Sequence, residues 1–148
     1  ALAATHRQLT VAASSFTPQC LAATAWSLAK LELQNAPLLD AIAGQSLRTL
    51  SHFGPQEVSN TAWSYATLLR TDLPLLDAIS AASIARIAEC KVQELANTAW
   101  AYAQLKIKDK PLFDAIAFAA MDKILLEAEA RHLSSTAWAF ATLLLTNP

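Results

Sequence analysis

The sequence predicts an all-α protein, an α-solenoid of stacked antiparallel helical hairpins with a period of about 37 residues. Three observations predict it. First, 32 of the 148 residues are Ala and 24 are Leu, both strong helix formers, while β-branched residues are sparse and the only glycines are Gly44 and Gly54. Second, the tripeptide Thr-Ala-Trp occurs four times, ending at Trp26, Trp63, Trp100 and Trp138, with spacings of 37, 37 and 38. Third, Pro37-Leu38-Leu39-Asp40-Ala41-Ile42 returns as Pro74 to Ile79 and as Pro111-Leu112-Phe113-Asp114-Ala115-Ile116 in the same step. A weaker marker, Phe16-Thr17-Pro18-Gln19, is echoed by Phe53-Gly54-Pro55-Gln56 and decays to Cys90-Lys91-Val92-Gln93 and Ala128-Glu129-Ala130-Arg131. Chance does not set several markers in one register. A fixed step of this size means supersecondary units that bury their faces on one another.

Residues 1–15 read as the degenerate second helix of an earlier unit. Residues 16–52, 53–89 and 90–127 are units 1, 2 and 3, and residues 128–148 are the first helix of unit 4. The first helix of a unit starts near Pro18 or Pro55, because proline suits the first helical turn, and runs about fifteen residues through the Trp. A short link follows, such as Gln34-Asn35 or Arg70-Thr71-Asp72, which leaves room only for an antiparallel neighbour. The second helix starts at Pro37, Pro74 or Pro111. Asp40, Asp77 and Asp114, three residues on, are expected to set a negative charge near the positive helix end. Leu75, Ile79, Ser83 and Ile87 then mark one face at helical spacing. The chain stops at Asn147-Pro148, where another second helix is due, and neither end offers a polar cap. The expectation is a longer array, or ends packed on neighbours.

On a helical wheel with Trp at zero, positions −5, −2, −1, +2 and +5 of the first helix fall on one arc. In unit 2 these are Val58, Thr61, Ala62, Tyr65 and Leu68, and in unit 3 Leu95, Thr98, Ala99, Tyr102 and Leu105. That arc is the predicted core, with each Thr bonding back to its own helix. The Trp lies almost opposite, so the first helix is apolar on two sides, and the indoles are expected to be hidden between adjacent layers. The remaining arc, at −7, −3, +1 and +4, carries the candidate binding residues. These are Gln19 and Lys30 in unit 1, Gln56, Asn60, Ser64 and Thr67 in unit 2, Gln93, Asn97 and Gln104 in unit 3, and Arg131, Ser135 and Thr142 in unit 4. Stacking would align them as a ladder of amides and hydroxyls suited to hydrogen bonding.

Several function classes are excluded. Two scattered glycines cannot build a phosphate-cradling loop. His6, His52 and His132 fall at unrelated points, no metal-ligand spacing or nucleophile elbow occurs, and Glu127 and Glu129 face different ways on a helix. The reading is therefore non-enzymatic, with no catalytic residues, no metal ligands and no cofactor. Cys20 and Cys90 sit two repeats apart, too far for a disulfide. Eleven basic against twelve acidic residues give a net charge of −1, and the low charged fraction of 16% predicts poor solubility unless partners cover the surface. No signal-peptide pattern and no long uncharged apolar run is present, so no membrane span is expected, while the missing initiator Met leaves room for a removed targeting peptide.

Phe/Pro-Gln, then Leu95-Ala96-Asn97-Thr98-Ala99-Trp100-Ala101-Tyr102-Ala103, then Pro-Leu-Leu-Asp-Ala-Ile, resembles the octotricopeptide repeat family and its close kin, the heptatricopeptide repeats. The resemblance covers about residues 16–148. It implies an α-solenoid of chloroplasts or mitochondria, the chloroplast ahead, that binds single-stranded organellar RNA and supports its processing, stability or translation. It places the RNA contacts on the first helix of each repeat, here Asn60, Asn97, Ser64 and Gln104. The contrasting expectation is a structural subunit that grips proteins in a large organellar assembly such as a ribosome or a photosynthetic or respiratory complex. Near-neutral charge and apolar surface favour it.

Overall fold

The computed structural model describes residues 2–127 and 130–145, and what is described is all-helical. The elements are α1 (Leu2–Ala13), α2 (Pro18–Lys30), α3 (Ala36–Thr49), α4 (Pro55–Thr67), α5 (Leu73–Ala85), α6 (Val92–Gln104), α7 (Lys110–Glu127) and α8 (Ala130–Leu145). Short 3-10 turns follow α3 (Leu50–His52) and α5 (Ile87–Glu89). The start of a further helix expected at Asn147-Pro148, and the Ala128-Glu129 half of the last weak marker, lie outside the described residues.

The helices form two layers. In one, α2 packs on α4, α4 on α6 and α6 on α8; in the other, α1 packs on α3, α3 on α5 and α5 on α7. Each even-numbered helix also meets the odd-numbered helix that follows it, α2 with α3, α4 with α5 and α6 with α7. The core lies between the layers. Leu21, Val58 and Leu95 come from the first, Leu39, Ile42, Leu75, Leu76, Ile79, Leu112 and Ile116 from the second, all buried. Nine of the ten residues on the arc read as core from the wheel are buried, and Leu105 is half-buried. The four Thr of Thr-Ala-Trp bond back as expected: Thr24, Thr61, Thr98 and Thr136 each donate to the carbonyl four residues earlier.

Local signals explain the helix ends. Pro18 and Pro55 open α2 and α4, and Pro37, Pro74 and Pro111 sit second in α3, α5 and α7. The caps differ from the expectation. Asn35, Asp72 and Asp109 accept from the backbone N–H of Leu38, Leu75 and Leu112 at 3.0–3.1 Å, so the residue before the helix performs the capping. Asp40, Asp77 and Asp114 lie a turn further in, where no free N–H remains. Asp40 instead pairs with Arg70 across the hairpins, and Asp114 with Lys110. At their C-termini α2, α4 and α6 close identically. Glu32, Leu69 and Lys106 turn left-handed with φ of 54°, 52° and 57°. The next N–H returns to the carbonyl five residues earlier: Leu33 to Leu28, Arg70 to Tyr65 and Ile107 to Tyr102. This is the closure usually built on glycine, made here with side chains that cost about 1–2 kcal/mol in that conformation.

Polar contacts between elements recur in step. Tyr65 Oη donates to Leu39 O at 2.6 Å, and Tyr102 Oη donates to Leu76 O. The third occurrence replaces both partners: Phe140 sits where the Tyr was and meets Phe113 edge-on, with ring centroids 5.3 Å apart. Arg86 donates to Phe53 O, and Lys123 to Cys90 O, so a cation at the end of α5 and one late in α7 tie down the segments before α4 and α6. Arg86 also pairs with Glu89, whose carboxyl it holds below the usual range.

Candidate functional site

The first-layer helices carry a second aromatic row, whose middle members Trp63 and Trp100 also pack against the core. Trp63 and Trp100 stack with centroids 6.3 Å apart and planes at 29°, and Trp100 and Trp138 lie 6.4 Å apart at 32°. Between Trp26 and Trp63 stands Lys30, its Nζ 5.3 Å from one ring centroid and 5.5 Å from the other. The row therefore runs Trp26, ammonium, Trp63, Trp100, Trp138. These indoles are not hidden between layers. Trp26 is 42% exposed and Trp138 44%, and the middle two are half-buried. The wheel explains why: about 100° per residue sets −7 and +4 within about 40° of the Trp, so the indoles share the polar face. A helix in a row has neighbours on its flanks, whereas its outward side has none.

Two clefts open beside this row. The one between α2 and α4 has a volume of about 350 Å³ and is lined by Gln19, Ala22, Ala23, Trp26, Gln56, Glu57 and Asn60. The one between α4 and α6 is smaller, about 130 Å³, and is lined by Gln56, Ser59, Asn60, Lys91, Gln93, Glu94 and Asn97. Five of the predicted residues, Gln19, Gln56, Asn60, Gln93 and Asn97, thus converge on adjoining clefts, with Lys30 on the indoles beside them. Asn60 and Gln56 belong to both.

The +1 position departs from the reading. Ser64 is fully buried, and its hydroxyl donates to Asn60 O at 2.6 Å. Ala101 and Ala139, its counterparts on α6 and α8, are buried as well, whereas Ser27 on α2 is exposed. At about 100° from the Trp this position faces the adjacent helix, so it packs the row together. Among the +4 residues, Thr67 is half-buried, its hydroxyl oxygen buried without a partner, and Gln104 is half-buried. Arg131, Ser135 and Thr142 lie on α8 and line neither cleft; Thr142 donates to Trp138 O at 2.8 Å.

The wheel reading missed Glu57, Glu94 and Lys91. Both carboxylates stand at −6, next to a recognised amide, Gln56 or Gln93. Glu57 accepts from the Gly54 N–H at 2.9 Å and Glu94 from the Lys91 N–H at 2.7 Å, which fixes them at the cleft rims. A Glu three residues after a helix start was the available signal. A Cβ at Gly54 would stand 2.6 Å from Glu57 Oε2 and would make that flexible carboxylate shift, while Lys91 makes the equivalent cap with Glu94 without being glycine.

Chemically the face offers amide donors and acceptors, two carboxylates, two ammonium groups and a π surface. Among the described residues no cluster of three His, Cys, Asp or Glu side chains is placed to hold a metal ion, and no helix is long and apolar enough to cross a membrane. Comparison with known protein families and with curated proteins finds no match for this chain.

Proposed function

We propose that the chain is an α-solenoid of helical hairpins repeating about every 37 residues, and that it recognises single-stranded organellar RNA through the outward face of its first-layer helices. The repeat reading draws support from the left-handed closures at Glu32, Leu69 and Lys106, the caps at Asn35, Asp72 and Asp109, and the paired clamps from Arg86 and Lys123. The observation that carries the RNA reading is the convergence of Gln19, Gln56, Asn60, Gln93 and Asn97 on two adjoining clefts. Amides present a donor and an acceptor together, which is what a base edge requires. Helical-repeat readers assign such side chains to one base per repeat. An octotricopeptide-like identity, a role in RNA processing, stability or translation, and a chloroplast setting follow from the sequence resemblance. The face is a binding surface and not a catalytic centre.

The test is retention of organellar RNA pools at low salt, about 50 mM, where phosphate contacts are strongest. Asn60→Ala and Asn97→Ala should each weaken retention. No retention above background for the parent chain overturns the reading.

A protein-gripping subunit is the second reading, favoured by one observation. Phe118 and Met121, one turn apart on α7, are 76% and 70% exposed, a large apolar surface on the opposite layer. Cross-linking in native extract separates the two. RNA adducts on α4 and α6 peptides support recognition of RNA, and protein adducts confined to α7 support the scaffold.

A further inference from the structure

The junctions along the first layer are not equivalent. Between α4 and α6, and between α6 and α8, indole lies against indole. Between α2 and α4 the ammonium of Lys30 stands between the rings instead, and the neighbouring cleft is the larger one. Of the two clefts it alone has an indole on its wall, Trp26. The cause is one side chain per unit. The +4 residue is Lys30 in unit 1 but Thr67 and Gln104 in units 2 and 3, and only the lysine carries a charge that an indole face attracts.

We propose that the α2–α4 cleft is a seat for one unpaired, amine-bearing nucleobase, a deepening that rests on the RNA reading above. The base stacks on Trp26. Gln19, Gln56 and Asn60 meet its polar edge. Glu57 directs the choice: one of its oxygens accepts from the Gly54 N–H, the other accepts only, and an exocyclic amine satisfies it while a carbonyl oxygen repels it. Lys30, already over the indole, supplies the cation for the adjoining phosphate. The seat makes recognition uneven along the chain. One junction holds a base by stacking, and the closed indole pairs do not.

Cytosine and uracil separate the elements of this seat, because they are alike in ring size and differ in an amine donor against a carbonyl acceptor. The experiment measures binding of labelled single-stranded oligo(C) and oligo(U) to the intact 148-residue chain by fluorescence anisotropy, with circular dichroism to verify the fold of each variant. Oligo(C) should bind at least several-fold tighter than oligo(U). Trp26→Ala should weaken oligo(C) by roughly tenfold or more, as loss of one base–aromatic stack does. Trp26→Phe should retain most of the affinity, and it replaces the alanine variant if that one does not fold. Glu57→Gln should narrow the preference for cytosine. Val11→Ala, an exposed apolar residue on α1 in the opposite layer, should leave binding unchanged. Oligo(C) binding that is indifferent to Trp26, or equal binding of oligo(U), overturns the seat and leaves RNA recognition standing. Failure of the parent chain to bind any RNA overturns both.

Discussion

The helices α4 and α6 are aromatic on two sides, and the two sides behave oppositely. On the inner side Tyr65 and Tyr102 are 0% and 1% exposed, each phenol donating to a carbonyl of the other layer. On the outer side Trp63 and Trp100 are half-buried and stack along the surface. Trp is the larger and more often buried apolar side chain, yet here the smaller, polar ring holds the core. The difference teaches that burial follows from what lies opposite a helix face. The inner face meets a second layer, the outer face meets only its own row, and an exposed π surface is what remains for a partner.

The largest expected effect of this asymmetry comes in alkali. The two tyrosines are the whole tyrosine content of the chain. Burial pushes both phenols well above the usual value of about 10, with Asp72 adding to the rise at Tyr65 and Asp109 at Tyr102. A folded pKa above the unfolded one favours the neutral phenol in the fold. That stabilisation is fully present below pH about 10 and is lost as pH rises towards the folded values. The phenolate absorbance should therefore appear together with loss of helical circular dichroism, above pH about 10. A phenolate signal that titrates near 10 with the helices intact would show that the inner face is open to water.

Truncation compares the faces next. Tyr102→Ala opens a cavity in the sealed face and should cost roughly 3–5 kcal/mol, the range for large buried aromatics. Trp26→Ala, from a ring 42% exposed, should cost about 2 kcal/mol or less. Urea unfolding of both variants measures this. Equal losses would place Trp26 in the core after all.

The helices and the inner face were legible in the sequence because apolar side chains return there at the helical period. Val58, Thr61 and Tyr65 needed no coordinates. The outer face was half legible. The wheel gave the direction of Gln56 and Asn60 correctly, and gave Ser64 the same standing, but direction does not reveal that an adjacent helix covers position +1. The same limit misplaced the indoles. The closures at Glu32, Leu69 and Lys106 are not legible because the residue that marks them, glycine, is absent, and the caps Asn35 and Asp72 stand two residues before the proline, outside the repeated Pro-Leu-Leu-Asp. On the wheel Lys30 is one more polar rung. Its place between two rings depends on side-chain packing that no periodicity encodes.

A smaller effect tests that wedge. Lys30→Thr gives unit 1 the residue of unit 2, removes the cation and lets Trp26 approach Trp63. Loss of a surface cation–π contact costs about 0.5–1 kcal/mol, partly offset by the new indole contact. The near-ultraviolet circular dichroism of the indoles should strengthen while the melting temperature moves little. An unchanged spectrum would mean that Lys30 does not hold the rings apart.

A gain in place of a loss is expected at the left-handed closure of α4. Leu69 has φ 52° and is 66% exposed, so it carries the conformational cost of a Cβ with little burial in return. Leu69→Gly removes that cost of about 1–2 kcal/mol but gives the unfolded chain extra freedom worth roughly 0.5–1 kcal/mol. The net expectation is a gain of up to about 1 kcal/mol, read as a rise of a few degrees in Tm. A clear loss would mean that the exposed Leu69 side chain contributes packing beyond what its 66% exposure allows, and that the loop edge, like the indole row, is held by contacts between successive hairpins.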